Sequence, residues 1–113
     1  MWNVVAATEF MDWFDEMDEE AQVDIREKIR VLEAFGPQLG RPLVDTIKES
    51  RHKNMKELRV QSNSRPFRIF FAFDPKRNAV LLIGGDKTGD ARFYKKIIPK
   101  ADAIFDTYLE DLE

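Results

Sequence analysis

The sequence predicts an α+β fold, an antiparallel β-sheet meander with an N-terminal helical hairpin and a C-terminal helix, in the order β-α-α-β-β-β-α. Three observations predict it. Residues 8 to 35 carry apolar side chains at helical spacing. Residues 55 to 85 carry them at strand spacing or in one short continuous run, and residues 99 to 112 return to helical spacing. Strands that follow one another through short turns pair antiparallel, because a parallel partner needs a long crossover. At 113 residues the chain is expected to be a single domain, residues 1–113, with one modest core.

The elements follow in order. Trp2 to Ala6 is a short apolar run with β-branched residues and reads as a first strand. Thr8 is then placed to cap a short helix bearing Phe10, Trp13, Phe14 and Met17. Asp18 caps the next helix, with Glu19 and Glu20 in its first turn, where the helix dipole favours anions. Ala21, Ile25, Ile29 and Leu32 share one face of that helix, and Gly36-Pro37 ends it. "GPQLGRPLVDTIKESRHK" has no sustained period and reads as an irregular connector with at most one helical turn.

From Met55 to Gln61 the alternation puts Leu58 and Val60 on one face and Met55, Glu57, Arg59 and Gln61 on the other. After turn residues Ser62 to Pro66, the strand Phe67 to Phe73 has Phe67, Ile69, Phe71 and Phe73 on one face and Arg68, Phe70 and Ala72 opposite. "DPKRN" makes the next turn, and "AVLLIGG" has the length and continuity of a buried central strand. If the apolar faces pack on the helices, Arg59 and Arg68 emerge on the sheet face that does not pack. Pro99 is placed to open the last helix, with Ala101, Ile104, Phe105, Tyr108 and Leu112 on its apolar side.

Charge is distributed unevenly. Residues 1 to 50 hold 5 Lys or Arg against 12 Asp or Glu, residues 51 to 100 hold 13 against 4, and residues 101 to 113 hold none against 5. A net charge of -3 therefore conceals a basic central block between acidic ends, the pattern of a charged working face. Without cysteine there are no disulfides, thiolate metal sites or thiol nucleophiles, and a cytoplasmic location is expected. Metal-ligand clusters, dinucleotide fingerprints and a membrane-spanning apolar run are absent from the pattern, so no cofactor, metal or membrane partner is expected.

What remains is a cationic surface with interleaved aromatics: Lys53, Lys56, Arg59, Arg65, Arg68, Lys87, Arg92, Lys95 and Lys96, with Tyr94, Phe70 and Phe93 nearby. Arg grips phosphate bidentately and an aromatic ring stacks on an unpaired base, a combination suited to single-stranded RNA more than to duplex DNA. The alternative for Arg59 and Arg68 is cross-strand pairing with Glu57 or another carboxylate. His52, the sole imidazole, lies in a polar loop where a solvated side chain is the plainer reading.

"LGRPLVDTIK.SRHKNMKELRV", "RPFRIFFAFDPKRNAVLLIGGDKTG" and "RFYKKIIPKAD", in this order, resemble a HigB-like toxin of the RelE/ParE superfamily from type II toxin–antitoxin systems. The resemblance covers about residues 2 to 108 and implies a RelE-like fold. It also implies an mRNA endonuclease, typically acting in the ribosomal A site, that cleaves without a metal through attack of the 2′-hydroxyl on the adjacent phosphate. The partners implied are mRNA, the ribosome and a cognate HigA-like antitoxin with a helix-turn-helix domain, with operator DNA reached only through the antitoxin complex. By the same resemblance Arg68 would stabilise the phosphate, Lys87 would do the same or supply the leaving-group proton, and Tyr94 would stack on or orient the scissile nucleotide. Arg59 completes the implied catalytic set, while Lys53, Lys56, Arg65, Arg92, Lys95 and Lys96 would contact RNA or ribosome.

Two departures thin the cations. Met55 and Glu57 stand where close RelE relatives carry lysine, and Thr88 stands where they carry an arginine. The general base is thereby left open among His52, Glu57, Asp90 and Tyr94, with Tyr94 or His52 preferred. Two other readings share the fold, a ParE-like gyrase inhibitor without nuclease activity and a degenerate toxin acting only as a binding or repressor component.

Overall fold

The computed structural model describes residues 1–112. The elements are β1 (Asn3–Ala6), α1 (Thr8–Asp15), α2 (Glu19–Phe35), a 3₁₀ turn (Gly36–Gln38), β2 (Val44–Thr46), β3 (Lys56–Ser62), β4 (Arg65–Phe73), β5 (Asn78–Asp86) and α3 (Phe93–Leu112). They build one five-stranded sheet in the order β1-β5-β4-β3-β2. The run β3 to β5 is the expected antiparallel meander, β2 extends it antiparallel to β3, and β1 adds to the opposite edge parallel to β5.

Both faces of the sheet are covered. On one, Leu58, Val60, Phe67, Ile69 and Phe71 pack with Phe10, Phe14, Ala21, Ile25 and Leu32 of the helical hairpin. On the other, Met55, Phe70, Ala72, Val80 and Leu82 pack under Phe93, Ile97, Ile98, Ala101 and Phe105 of α3. The expectation that the face of Arg59 and Arg68 does not pack is therefore corrected. Phe70, Ala72, Val80 and Leu82 point the same way as Arg68, and burying a side chain such as Phe contributes roughly 1.5–3 kcal/mol, enough to draw α3 across them. A register skip in β4–β5 at Phe70/Phe71 turns both Leu82 and Ile83 toward α3.

Three further local expectations are corrected. Ala7, not Thr8, occupies the cap position of α1, because the Ala7 amide still donates to Leu81 in the sheet (2.8 Å) and the strand runs straight into the helix. The connector contains β2, a three-residue edge strand whose pairing with β3 depends on long-range contacts. The last helix opens at Phe93 rather than Pro99: Phe93, Ile97, Ala101 and Phe105 form one continuous buried stripe, and exposed Pro99 sits inside the helix. Asp18 caps α2 as expected, its Oδ1 accepting from the Ala21 amide at 3.1 Å.

Two glycines set the spacing on β5. A side chain at Gly84 would strike the Trp13 ring, and one at Gly85 would strike Phe93. Gly85 is also the register partner of Arg68, so its bare backbone lets the start of α3 settle beside that arginine.

The other end of α3 is clipped to the β4–β5 turn. Asp74 accepts from the Asn78 side chain, the Lys76 and Asn78 amides and the Tyr108 hydroxyl (2.7 Å). Burial, reinforced by the Asp74 carboxylate, pushes the Tyr108 hydroxyl up to about 12. The native state thus holds this proton more tightly than the unfolded chain, so the associated stability is full below pH 10.0 and is lost as pH rises toward 12. Tyr108→Phe is expected to cost about 1 kcal/mol at neutral pH and to remove the late phenolate step from an alkaline absorbance titration. A wild-type Tyr108 that ionises near 10.0 would show that the clip is not held in solution.

Candidate active site

The hairpin β3–β4 fixes the core of the site. Arg59 and Arg68 are direct cross-strand partners, and Glu57 lies one alternation along on the same face, opposite Phe70. Two like charges set side by side in a sheet repel, and Glu57 relieves this by standing between them. It is 2 % exposed and collects three partners. Arg59 Nε is 3.0 Å from its Oε2, Arg68 Nε is 3.8 Å from its Oε1, and the Tyr94 hydroxyl donates to Oε1 at 2.7 Å.

Each partner is itself held. The Arg68 side chain is 13 % exposed and donates through Nη1 to the Phe67 carbonyl (3.0 Å), while its buried Nε has no hydrogen-bond partner among the described residues. Arg59, 35 % exposed, also reaches Asp45 of β2 through Nη2 (3.3 Å). Asp45 is the member of this cluster that the sequence does not signal, since its segment carries no strand pattern. Tyr94 sits in the first turn of α3, edge-on to Phe70 and Phe93, with Lys87 Nζ 5.5 Å from its ring centre. Burial first, then the bond to Glu57, raises the Tyr94 hydroxyl above its ordinary value, with Arg68 partly opposing. Tyr94 is therefore held as a proton donor, which disfavours it as the base.

Arg59, Arg68, Lys87, Tyr94 and Glu57 are thus brought together. Arg92 and Lys95 flank the group as exposed residues at the start of α3, and Lys96 is paired with Asp90 at 3.1 Å. The Arg92 amide and then Lys96 hold Asp90 below the usual carboxylate range, so it stays ionised as an anchor for the helix start.

Other candidates lie elsewhere. Arg65 pairs with Asp18 at the start of α2 (3.0 Å) and covers the Phe67 ring. Lys56 reaches Thr46 at the β2 edge (3.3 Å). His52 packs edge-on to Phe105 and bonds Asp106 at 2.7 Å, and Lys53 lines the same end of α3. Twelve residues of helix separate Asp106 from Tyr94, about 18 Å at 1.5 Å per residue, so His52 is remote from the arginine pair. Among the described residues no group of three or more His, Cys, Asp or Glu is arranged to hold a metal ion, and no helix is long and apolar enough to cross a membrane.

Comparison with solved structures finds a mutant form of the E. coli toxin RelE in the free state, with TM-score 0.59 and 5% sequence identity over 85% of this chain and 94% of that one. The sheet with its paired N-terminal helices and covering C-terminal helix is thus a RelE-like fold. Residues 12–106 match the family described as phage-derived protein Gp49-like (DUF891). Two Mycobacterium tuberculosis proteins named as toxins are similar along most of the chain. HigB2 is 47% identical over 103 residues, 89% of this chain and 51% of the relative. HigB3 is 46% identical over 98 residues, 86% and 84% respectively. The chain spans about half the length of HigB2. It belongs to the Gp49-like family and is HigB-like, with a RelE-like fold.

Proposed function

We propose that this protein is the toxin of a type II toxin–antitoxin pair, an endoribonuclease that cuts mRNA on the ribosome and is neutralised by a cognate HigA-like antitoxin. The observation that carries this reading is the convergence of Arg59, Arg68 and Tyr94 on one buried carboxylate, with Lys87 over the Tyr94 ring. The names of its relatives as toxins support it.

The reaction places demands that these groups match. The 2′-hydroxyl loses its proton to a base and its oxygen bonds to the neighbouring phosphorus. The bond from phosphorus to the 5′-oxygen breaks, and that oxygen takes a proton. The products are a 2′,3′-cyclic phosphate and a free 5′-hydroxyl. Negative charge grows on the phosphate oxygens meanwhile, and fixed cations in a partly dry site stabilise it far better than water does. Arg68 takes this role with Arg59 beside it. Lys87 adds charge or donates the leaving-group proton, and Tyr94 orients the nucleotide through its ring. Glu57 is the carboxylate within reach and is assigned the base, in preference to distant His52.

Inducing the protein in bacteria without its antitoxin and mapping mRNA 5′ ends by primer extension tests the proposal. New ends at codon positions are expected. Growth arrest with intact mRNA and blocked DNA supercoiling would replace the nuclease by a gyrase inhibitor, and no arrest would leave a binding component.

A further inference from the structure

Beside the arginine cluster, Glu49, Tyr94, Lys95, Ile98 and Pro99 line an open cleft of about 190 Å³. Ile98 and Pro99 give it an apolar floor. Tyr94 is the wall it shares with the cluster, because the same side chain donates to Glu57. Glu49 comes from the connector between β2 and β3, and Lys95 from the first turn of α3. Both are exposed, and neither forms an ion pair or a side-chain hydrogen bond among the described residues.

We infer that this cleft is a subsite for an unpaired guanine base. The inference rests on the RNA-cleaving reading above and deepens it, by naming the base of the nucleotide whose phosphate lies at Arg68. A base removed from its stack needs an apolar surface for its face and polar partners for its edge. Pro99 and Ile98 supply the first, which gives the exposed proline in the helix a use. Glu49 and Lys95 supply the second. Guanine presents the O6 acceptor beside the N1–H and N2–H donors, so an ammonium can donate to O6 while one carboxylate accepts both N–H groups. Adenine has an acceptor where guanine has N1–H, cytosine offers a single amino group, and the one N–H of uracil is flanked by carbonyl oxygens that would face the carboxylate. Each of these leaves Glu49 with fewer donors.

Binding of the four nucleoside 3′-monophosphates to the purified protein tests this without requiring turnover. Affinities are measured by NMR titration for the wild type and for Glu49→Gln, with inorganic phosphate as a probe of the arginine cluster alone. Guanosine 3′-monophosphate is expected to bind about tenfold more tightly than the other three. Glu49→Gln should abolish that preference and leave the phosphate affinity unchanged. Equal affinities, no binding of any nucleotide, or a guanine preference that survives Glu49→Gln would each overturn the subsite. The nuclease reading fails separately: guanine preference with intact cellular mRNA keeps the subsite and removes the cleavage, and cleavage with no preference does the reverse.

Discussion

Arg68→Ala is expected to lower RNA cleavage by roughly 10²–10³-fold, the loss typical when one fixed donor to a developing oxyanion is removed. The same substitution also touches the fold, because Arg68 is largely buried against Glu57. Removing one partner of a buried pair costs about 3–5 kcal/mol when the other is left bare. Glu57 is not left bare: Arg59 at 3.0 Å and Tyr94 at 2.7 Å are both closer to it than Arg68 at 3.8 Å. A cost of about 1–2 kcal/mol follows, and at roughly 4–8 °C per kcal/mol the melting temperature should fall modestly. Arg68→Lys separates the two roles. It keeps a positive charge near Glu57 and loses the planar fork that grips a phosphate, so cleavage should drop while stability stays near wild type. Thermal unfolding by circular dichroism, run beside the primer-extension assay, decides. Cleavage that falls only in proportion to the fraction unfolded would make the arginine a purely structural residue.

What could be read beforehand divides along a physical line. Alternation along Met55 to Phe73 correctly put Glu57, Arg59 and Arg68 on one sheet face, since side-chain direction in a strand is a local property. Their convergence on Glu57 is not local. It depends on the β3–β4 register, which sets Arg59 opposite Arg68, and on Gly85, which lets Phe93 and Ile97 at the start of α3 pack close to the sheet. The same limit explains the other differences. β2 is three residues in a Gly- and Pro-punctuated segment and becomes a strand only because β3 offers it an edge, so Asp45 gave no signal as the second anchor of Arg59. His52 and Lys53 precede β3 by a few residues, which placed them beside the cationic strand in the reading. In the fold the connector instead runs along α3, where Ser50 donates to Asp102 and Arg51 and His52 pair with Asp106, holding them at the far end. Pro99 looked like a helix start because proline is favoured there, yet the stripe from Phe93 to Phe105 outweighs one lost backbone bond.

Glu57→Gln should be among the most destabilising single changes on this face, and an anion should reverse it. The amide keeps the shape of the side chain and can still accept from Tyr94, but it removes the charge that lies between two guanidiniums in direct cross-strand register. Arg59 retains Asp45, which moderates the loss, whereas Arg68 retains no carboxylate within 4 Å among the described residues. A cost of about 2–4 kcal/mol is expected, at the lower end of the range for one missing partner of a buried pair because Arg59 keeps Asp45, with a fall in melting temperature of roughly 4–8 °C per kcal/mol. Inorganic phosphate carries the charge that the substitution removes. If it binds at the two guanidiniums that lose their counter-charge, phosphate at about 100 times its Kd would return roughly 2.7 kcal/mol, most of the deficit. Because phosphate also stabilises proteins generally by exclusion from their surfaces, the informative quantity is the gain of Glu57→Gln over the gain of the wild type at matched ionic strength. A larger gain in the variant would mean that Glu57 and a substrate phosphate draw on the same two guanidiniums. Equal gains would mean that the carboxylate and the phosphate do not compete, and that Glu57 only holds the two arginines in register. Cleavage separates its roles once more. A variant kept folded by low temperature and still inactive is expected if Glu57 is the base, and activity retained under those conditions would assign the proton to another group.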